Sequence, residues 1–301
     1  MKISIGYITS RLVCNLDWFV DSLARQLGPK DWVEIFVVDR WTTGRTPMRP
    51  VTRNVWVAFV EPKPTVFSGE HRVTREDWWS KSNSINTFLC CANHDYVVMV
   101  DDRAVIGPDW LQAVRRAADE KYVMCGAYQK RWGMTVEGGI IKHGGIIKGE
   151  DARADGRTGL IPCGGEWFFG ACTGASLEHW LKINGAPERC DGMSFEDVIS
   201  GMLMQNNGFP MYYDARALMI QDRTPDAIGT SIRRSSKERH PHDTADKAHT
   251  MLREVRAGQM QSHNNFDLRY LRDHIMAGGK FPLPDPEQKD WFDNQPIKEF
   301  V

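Results

Sequence analysis

Two pairs of adjacent acids in this chain are placed where they could do chemistry. Asp101 and Asp102 follow an apolar run directly in "DYVVMVDDRAVIGPDWL", with Arg103 next in line. Glu196 and Asp197 stand in "SFEDVISGMLMQNNGF", and Asp39 closes a further apolar run, "WVEIFVVD". Carboxylates brought together repel, and they stay ionised only where a cation or hydrogen-bond donors offset them. A hard divalent cation takes such oxygen ligands and keeps open positions for phosphate. A carboxylate within hydrogen-bond reach of a hydroxyl can act as a general base. Arginine beside the acids offers another counter-charge, because guanidinium binds phosphate in a bidentate fashion. The plainer readings are caps and turns for acids at strand ends, and favourable dipole contacts for acids in a first helical turn. The Asp101–Asp102 pair, directly after a buried run, argues for function more strongly than Asp39 or Glu196–Asp197 alone.

These residues need elements to carry them. Lys2–Thr9 reads as a strand rich in isoleucine. Residues 16–27 place Leu16, Phe19, Val20, Leu23 and Leu27 at helical spacing. Trp32–Asp39 is a second strand, and the three make a β-α-β unit whose natural product is a parallel sheet. A third strand is expected over 55–61, a helix ending near "NTFLCCAN", and a fourth strand leading into Asp101. The next helix should carry Pro108 and Asp109 in its first turn, with a fifth strand over 121–128. The glycine-rich stretch 133–165 reads as short hairpins and a mobile loop. "WFFGACTGASLEHWLKING" should run from strand to helix. The helix bearing Glu196 and Asp197 should end at Gly208, and "PMYYDARALMIQD" is a late strand. The expected fold class is α/β, with residues 1–230 as the body and 231–301 as a helical extension with a Pro-rich tail. Ligands of such a sheet bind beyond the carboxyl ends of its parallel strands, where Asp39, Asp101 and Asp102 fall.

In order and content these segments resemble the GT-A nucleotide-sugar glycosyltransferases, especially the family-2-like group. "ISIGYITSR", "EIFVVDR", "KSNSINTFLCCANHDYVVMVDDR", "GACTGASLEHWLKINGAPE" and "FEDVISGMLMQNNGF" are similar to five family segments in the family's order, over residues 2–222. The resemblance implies a mostly parallel Rossmann-like sheet and a nucleoside-diphosphate sugar as donor. It implies that Asp39 holds the nucleobase, that Thr9 and Arg11 line the nucleotide, and that Lys81 and Asn86 lie toward the diphosphate and sugar. Asp101 and Asp102 would form the ribose and metal site, for Mn2+ or Mg2+. Gly170, Ala171 and Cys172 would border the donor sugar. Asp197 would be the base that deprotonates the acceptor, positioned by Glu196, in an inverting displacement. The departure is Arg103, which stands where the family's D-x-D motif has its last acid. Either Asp102 holds the metal with a distant ligand such as His240 or His242, or Arg103 itself neutralises the leaving diphosphate. Trp78, Trp79 and Trp167 border the expected cleft and could stack on a sugar, though tryptophans are core residues by default.

Composition limits the partners. Of 301 residues, 42% are hydrophobic and 26% charged, which is ordinary for a globular chain. With a net charge of -1, no global field favours nucleic acid or membrane. Seven scattered cysteines without a C-x-x-C pair argue against a zinc cage. No run approaches a membrane span, and "MKISIGYITS" lacks an apolar core of signal length, so a cytoplasmic enzyme is expected. For a viral enzyme the place would be the host cytoplasm. The expected acceptor is a glycan or other hydroxyl compound. A viral enzyme acting on hydroxymethylated pyrimidines of duplex DNA is the alternative, with the basic run "RRSSKERH" (233–240) meeting phosphates. A catalytically inactive nucleotide-sugar-binding module is the third possibility. A nucleotidyltransferase is disfavoured, because the place after the first strand reads "TSRLVCN", without glycine.

Overall fold

The computed structural model describes residues 1–9, 11, 13–39, 52–64, 81–147, 151, 153, 159–191, 195–224 and 244–283, with the side chains of 244–248 excepted. The chain begins with β1 (Lys2–Thr9), α1 (Leu16–Ala24), β2 (Trp32–Asp39) and β3 (Val55–Val60). It continues through α2 (Lys81–Cys91), β4 (Tyr96–Asp101), β5 (Ala104–Ile106) and α3 (Trp110–Glu120). A hairpin of β6 (Val123–Glu137) and β7 (Ile140–Ile146) follows, then β8 (Leu160–Pro162), β9 (Cys172–Ser176) and α4 (Leu177–Lys182). The described chain closes with α5 (Glu196–Asn206), β10 (Met211–Asp222), α6 (Thr244–Arg256) and α7 (Leu268–Met276).

The ten strands form one sheet in the order β3-β2-β1-β4-β9-β6-β10-β5, with β7 on β6 and β8 on β10. β3, β2, β1 and β4 pair in parallel, as the β-α-β pattern requires. β9 inserts antiparallel between β4 and β6, which restores the common direction for β6 and β10. β1, β2, β3, β4, β6 and β10 therefore run one way, and their carboxyl ends share one edge.

Strand alternation sorts the core into two layers. Val97 and Met99 face a cluster built with Ile85 and Phe88 of α2 and Leu203 of α5. Tyr96, Val98 and Val100 face the opposite cluster, with Phe19 of α1 and Trp110 of α3. Buried on both faces, β4 reads as a continuous apolar run. Met251 and Val255 of α6 and Leu268 and Leu271 of α7 belong to the first cluster, so the C-terminal helices pack into the body's own core. The expected boundary near residue 230 lies outside the described residues.

Three features differ from the sequence pattern. β6 runs on to Glu137 instead of stopping near 128, because Gly138 and Gly139, at φ +54° and +73°, make a tight turn that folds β7 back on it. The glycines there build one of the hairpins expected of the glycine-rich stretch. β5 was not foreseen: the chain turns at Arg103 (φ +55°) and runs antiparallel to β10. α3 begins at Trp110, leaving Pro108 ahead of the helix and Asp109 at its cap position.

Candidate active site

At the carboxyl edge of the sheet, the ends of β1 and β4 meet the first turns of α2 and α5. Asp101 ends β4 and Asp102 follows directly, and the two turn to opposite sides. Asp101 continues the face of Val97 and Met99, toward α2 and α5, and accepts from Lys81 Nζ at 3.1 Å. Asp102 turns toward β1. Its Oδ2 accepts from Thr9 Oγ1 at 2.6 Å, and its Oδ1 pairs with Arg11 Nη1. Burial raises the Asp102 carboxyl above its ordinary pKa, although Arg11 and Thr9 pull the other way.

Lys81 gathers the second acid pair. Its ammonium lies 3.6 Å from Glu196 Oε1. Burial works against the charged lysine, but Asp101, Glu196 and Asp197 outweigh it and hold the ammonium firmly protonated. Glu196 is pushed up to about 7 by burial and by the neighbouring Asp197, against the pull of Lys81. Asp197 Oδ2 accepts from the Gly170 amide at 2.8 Å, and its Oδ1 from the Val198 amide at 2.8 Å. Ala171 joins the acid pairs from the other side, its carbonyl accepting the Asp101 amide at 3.2 Å. A Cβ at Gly170 would lie 2.5 Å from Lys81 Nζ, so a side chain there would push the end of Lys81 aside. Beneath Lys81 and Asp197 a small apolar hollow is lined by Ile85, Phe168 and Trp180.

Lys81, Asp101, Gly170, Ala171, Glu196 and Asp197 are thus brought together, with Thr9, Arg11 and Asp102 beside them. Asp39 is fully buried at the end of β2, opposite Thr9 in register. Arg103 does not join the group. Its guanidinium pairs with Asp222 and donates to the Thr224 carbonyl at 2.9 Å, while its carbonyl accepts the Asp222 amide at 2.9 Å. It ties the end of β4 to the end of β10. Asn86 is also occupied elsewhere. It donates to the Ala186 carbonyl and to Glu188 Oε1, both at 2.9 Å, and accepts the Ala186 amide at 2.8 Å. Cys172 is buried in β9, under the Trp110 ring nitrogen at 3.2 Å. Trp167 packs edge-to-face on Tyr213. His240, His242, Trp78, Trp79 and the run 233–240 lie outside the described residues.

Sequence reasoning missed Asp191 and the Lys63–Glu188 pair. Asp191 accepts the Ser82 and Asn83 amides at 2.8 and 3.2 Å, capping α2 just behind Lys81. Lys63 meets Glu188 at 2.8 Å. Neither shows in a local pattern, since the partners stand far apart in sequence.

Asp102, the expected metal ligand, is held by protein groups. Both its oxygens are engaged, the next residue is a cation paired with Asp222, and no group of three or more His, Cys, Asp or Glu side chains among the described residues is arranged to hold an ion.

No protein-family model and no curated protein matches the chain. Solved structures do. The fragment 1-349 of S. aureus TarS in complex with UDP-GlcNAc superposes with a TM-score of 0.56 at 15% identity, over 92% of this chain and 71% of that one. The same fragment with UDP gives 0.53 at 14% identity, over 92% and 70%. The longer TarS structure gives 0.50 at 15% identity, and this chain spans 42% of it. No helix among the described residues is long and apolar enough to cross a membrane. With a largely parallel sheet into which β9 inserts antiparallel, helices on both faces, and acids gathered at the carboxyl edge, the chain has the GT-A fold.

Proposed function

We propose that this chain transfers a sugar from a nucleoside-diphosphate sugar to an acceptor hydroxyl. The observation that carries the reading is the convergence of Asp101, Glu196 and Asp197 on Lys81 at the carboxyl edge of a GT-A sheet. The UDP and UDP-GlcNAc held by the TarS structures make a uridine nucleotide the first donor to try. Thr9, Arg11 and Asp39 border the nucleotide, and Gly170 and Ala171 border the sugar. Asp197 takes the proton of the acceptor hydroxyl. Each of its oxygens accepts one backbone amide and keeps a second lone pair for this task. The freed oxygen attacks the anomeric carbon, and the bond to the diphosphate breaks with its electron pair leaving on phosphate. A single displacement of this kind inverts the anomeric centre.

A divalent cation would bind at Asp101, whose Oδ2 is not engaged by Lys81, or displace Arg11 from Asp102, and no step is routed through one. Duplex DNA as acceptor draws no support from a net charge of -1. Calorimetry of UDP in EDTA and in manganese, with release of UDP from UDP-GlcNAc, tests the reading. Binding and slow release are expected. A chain that binds UDP yet releases none with any acceptor is a binding module, and one that binds no nucleoside diphosphate under either condition refutes the donor assignment.

A further inference from the structure

We propose that Arg153 is a positioning residue for this transfer, clamping the segment 167–171 that spaces Asp101 from Asp197. The inference rests on the transfer reading above. That segment touches both acidic centres through its main chain: the Gly170 amide holds Asp197 Oδ2 at 2.8 Å, and the Ala171 carbonyl holds the Asp101 amide at 3.2 Å. Beyond a single 3-10 turn at Gly165–Trp167, residues 168–171 have no helix or strand to stiffen them. Their geometry must be fixed from outside.

Arg153 is placed to do that. It is 6% exposed. Its Nη1 donates to the Trp167 carbonyl, and its Nη2 to the Gly126 carbonyl of β6 at 3.0 Å. Its guanidinium lies 4.2 Å from the centre of the Phe169 ring, with Tyr128 and Tyr213 each at 5.3 Å. Asp151 neutralises it, accepting from Nε at 2.9 Å and from Nη2 at 3.2 Å. One side chain thus grips the segment twice, at Trp167 and Phe169, and anchors it to β6 and β10. Only a planar guanidinium can stack on rings while donating in-plane to two carbonyls and a carboxylate. A lysine would keep the charge and lose the fork. Displacing a catalytic group by about 1 Å can cost on the order of 10²-fold in rate, so a loosened segment should lower turnover more than donor binding.

Arg153→Lys and Arg153→Ala in the full chain test this, with thermal melting, UDP calorimetry, hydrogen exchange of the peptide 165–171, and the kcat and KM of UDP-GlcNAc hydrolysis. Arg153→Lys should melt within a few degrees of the parent and keep UDP affinity within a few-fold. Exchange in 165–171 should quicken while that of β4 stays unchanged, and kcat should fall roughly 10- to 100-fold with KM little moved. Added guanidinium should restore part of kcat in Arg153→Ala. Unchanged exchange in the segment overturns the proposal. So does an unchanged kcat in Arg153→Lys, or a kcat that falls only in step with melting and without rescue. A parent chain that neither binds UDP nor splits UDP-GlcNAc brings down the transfer reading itself. Quickened exchange would then leave Arg153 a structural clamp and remove the positioning role.

Discussion

The two acid pairs of the site are built differently, one at the end of a strand and the other at the start of a helix. On the strand, neighbours point to opposite faces. Asp101 therefore meets Lys81, Asp102 meets Arg11 and Thr9, and each acid has its own cation. On the helix, neighbours lie only about 100° apart. Glu196 and Asp197 stay close and repel, and the more buried of them is pushed up to about 7. A strand end thus divides two charges between an internal pair and a cleft-facing group, whereas a helix start leaves them coupled, one of them titrating near neutrality. Each pair also abuts a non-glycine residue in the left-handed region, Arg103 at φ +55° and Phe195 at φ +72°, where bulky side chains are rare.

The largest expected effect separates the helix pair by role. Asp197→Asn should lower kcat for UDP release about 10²- to 10⁴-fold, the usual span of a general base, with UDP affinity kept within a few-fold. Equal losses in binding and turnover would make Asp197 a donor ligand instead. The second effect separates the strand pair. Asp102→Asn removes the buried carboxylate that pairs with Arg11 and accepts from Thr9, so urea unfolding should show a loss of about 3 kcal/mol. Asp101→Asn, at a partly open position, should cost about 1 kcal/mol or less. Equal costs would break the division between internal and cleft-facing acid.

The smallest effect is a pH dependence. Folded, Glu196 holds its proton up to about 7, against an ordinary value of 4.5. Between those values the unfolded chain has released a proton that the folded chain keeps, so this group's contribution to stability falls as pH rises through the window. Glu196→Gln removes the penalty. Its melting temperature relative to the parent should rise by a few degrees between about pH 5 and about pH 8. A constant difference across that range would show that Glu196 ionises normally.

Much of the frame was legible because it is written in local periods. The unbroken apolar run of β4 and the helical spacing of Leu16, Phe19, Val20 and Leu23 name elements without reference to anything distant. The β-α-β order then implies a parallel sheet and a carboxyl edge, which placed Asp101 there, whereas Lys81 and Asp197 were joined to it by the resemblance to the GT-A family. Gly138 and Gly139 were harder, since glycine marks a loop and a tight turn alike until a partner strand is present.

What the sequence determined by itself is therefore most of the elements, their order, and the edge where acids gather. Only the tertiary structure decided the partners. Asp222 for Arg103, Arg11 for Asp102, Glu188 for Asn86 and the aromatic ring set for Arg153 are joined across long stretches of chain. The physical reason is that a charge takes its character from whatever burial and neighbour surround it. Arg103 stands beside two acids in sequence, yet a left-handed turn carries it across to β10, and its charge is matched there.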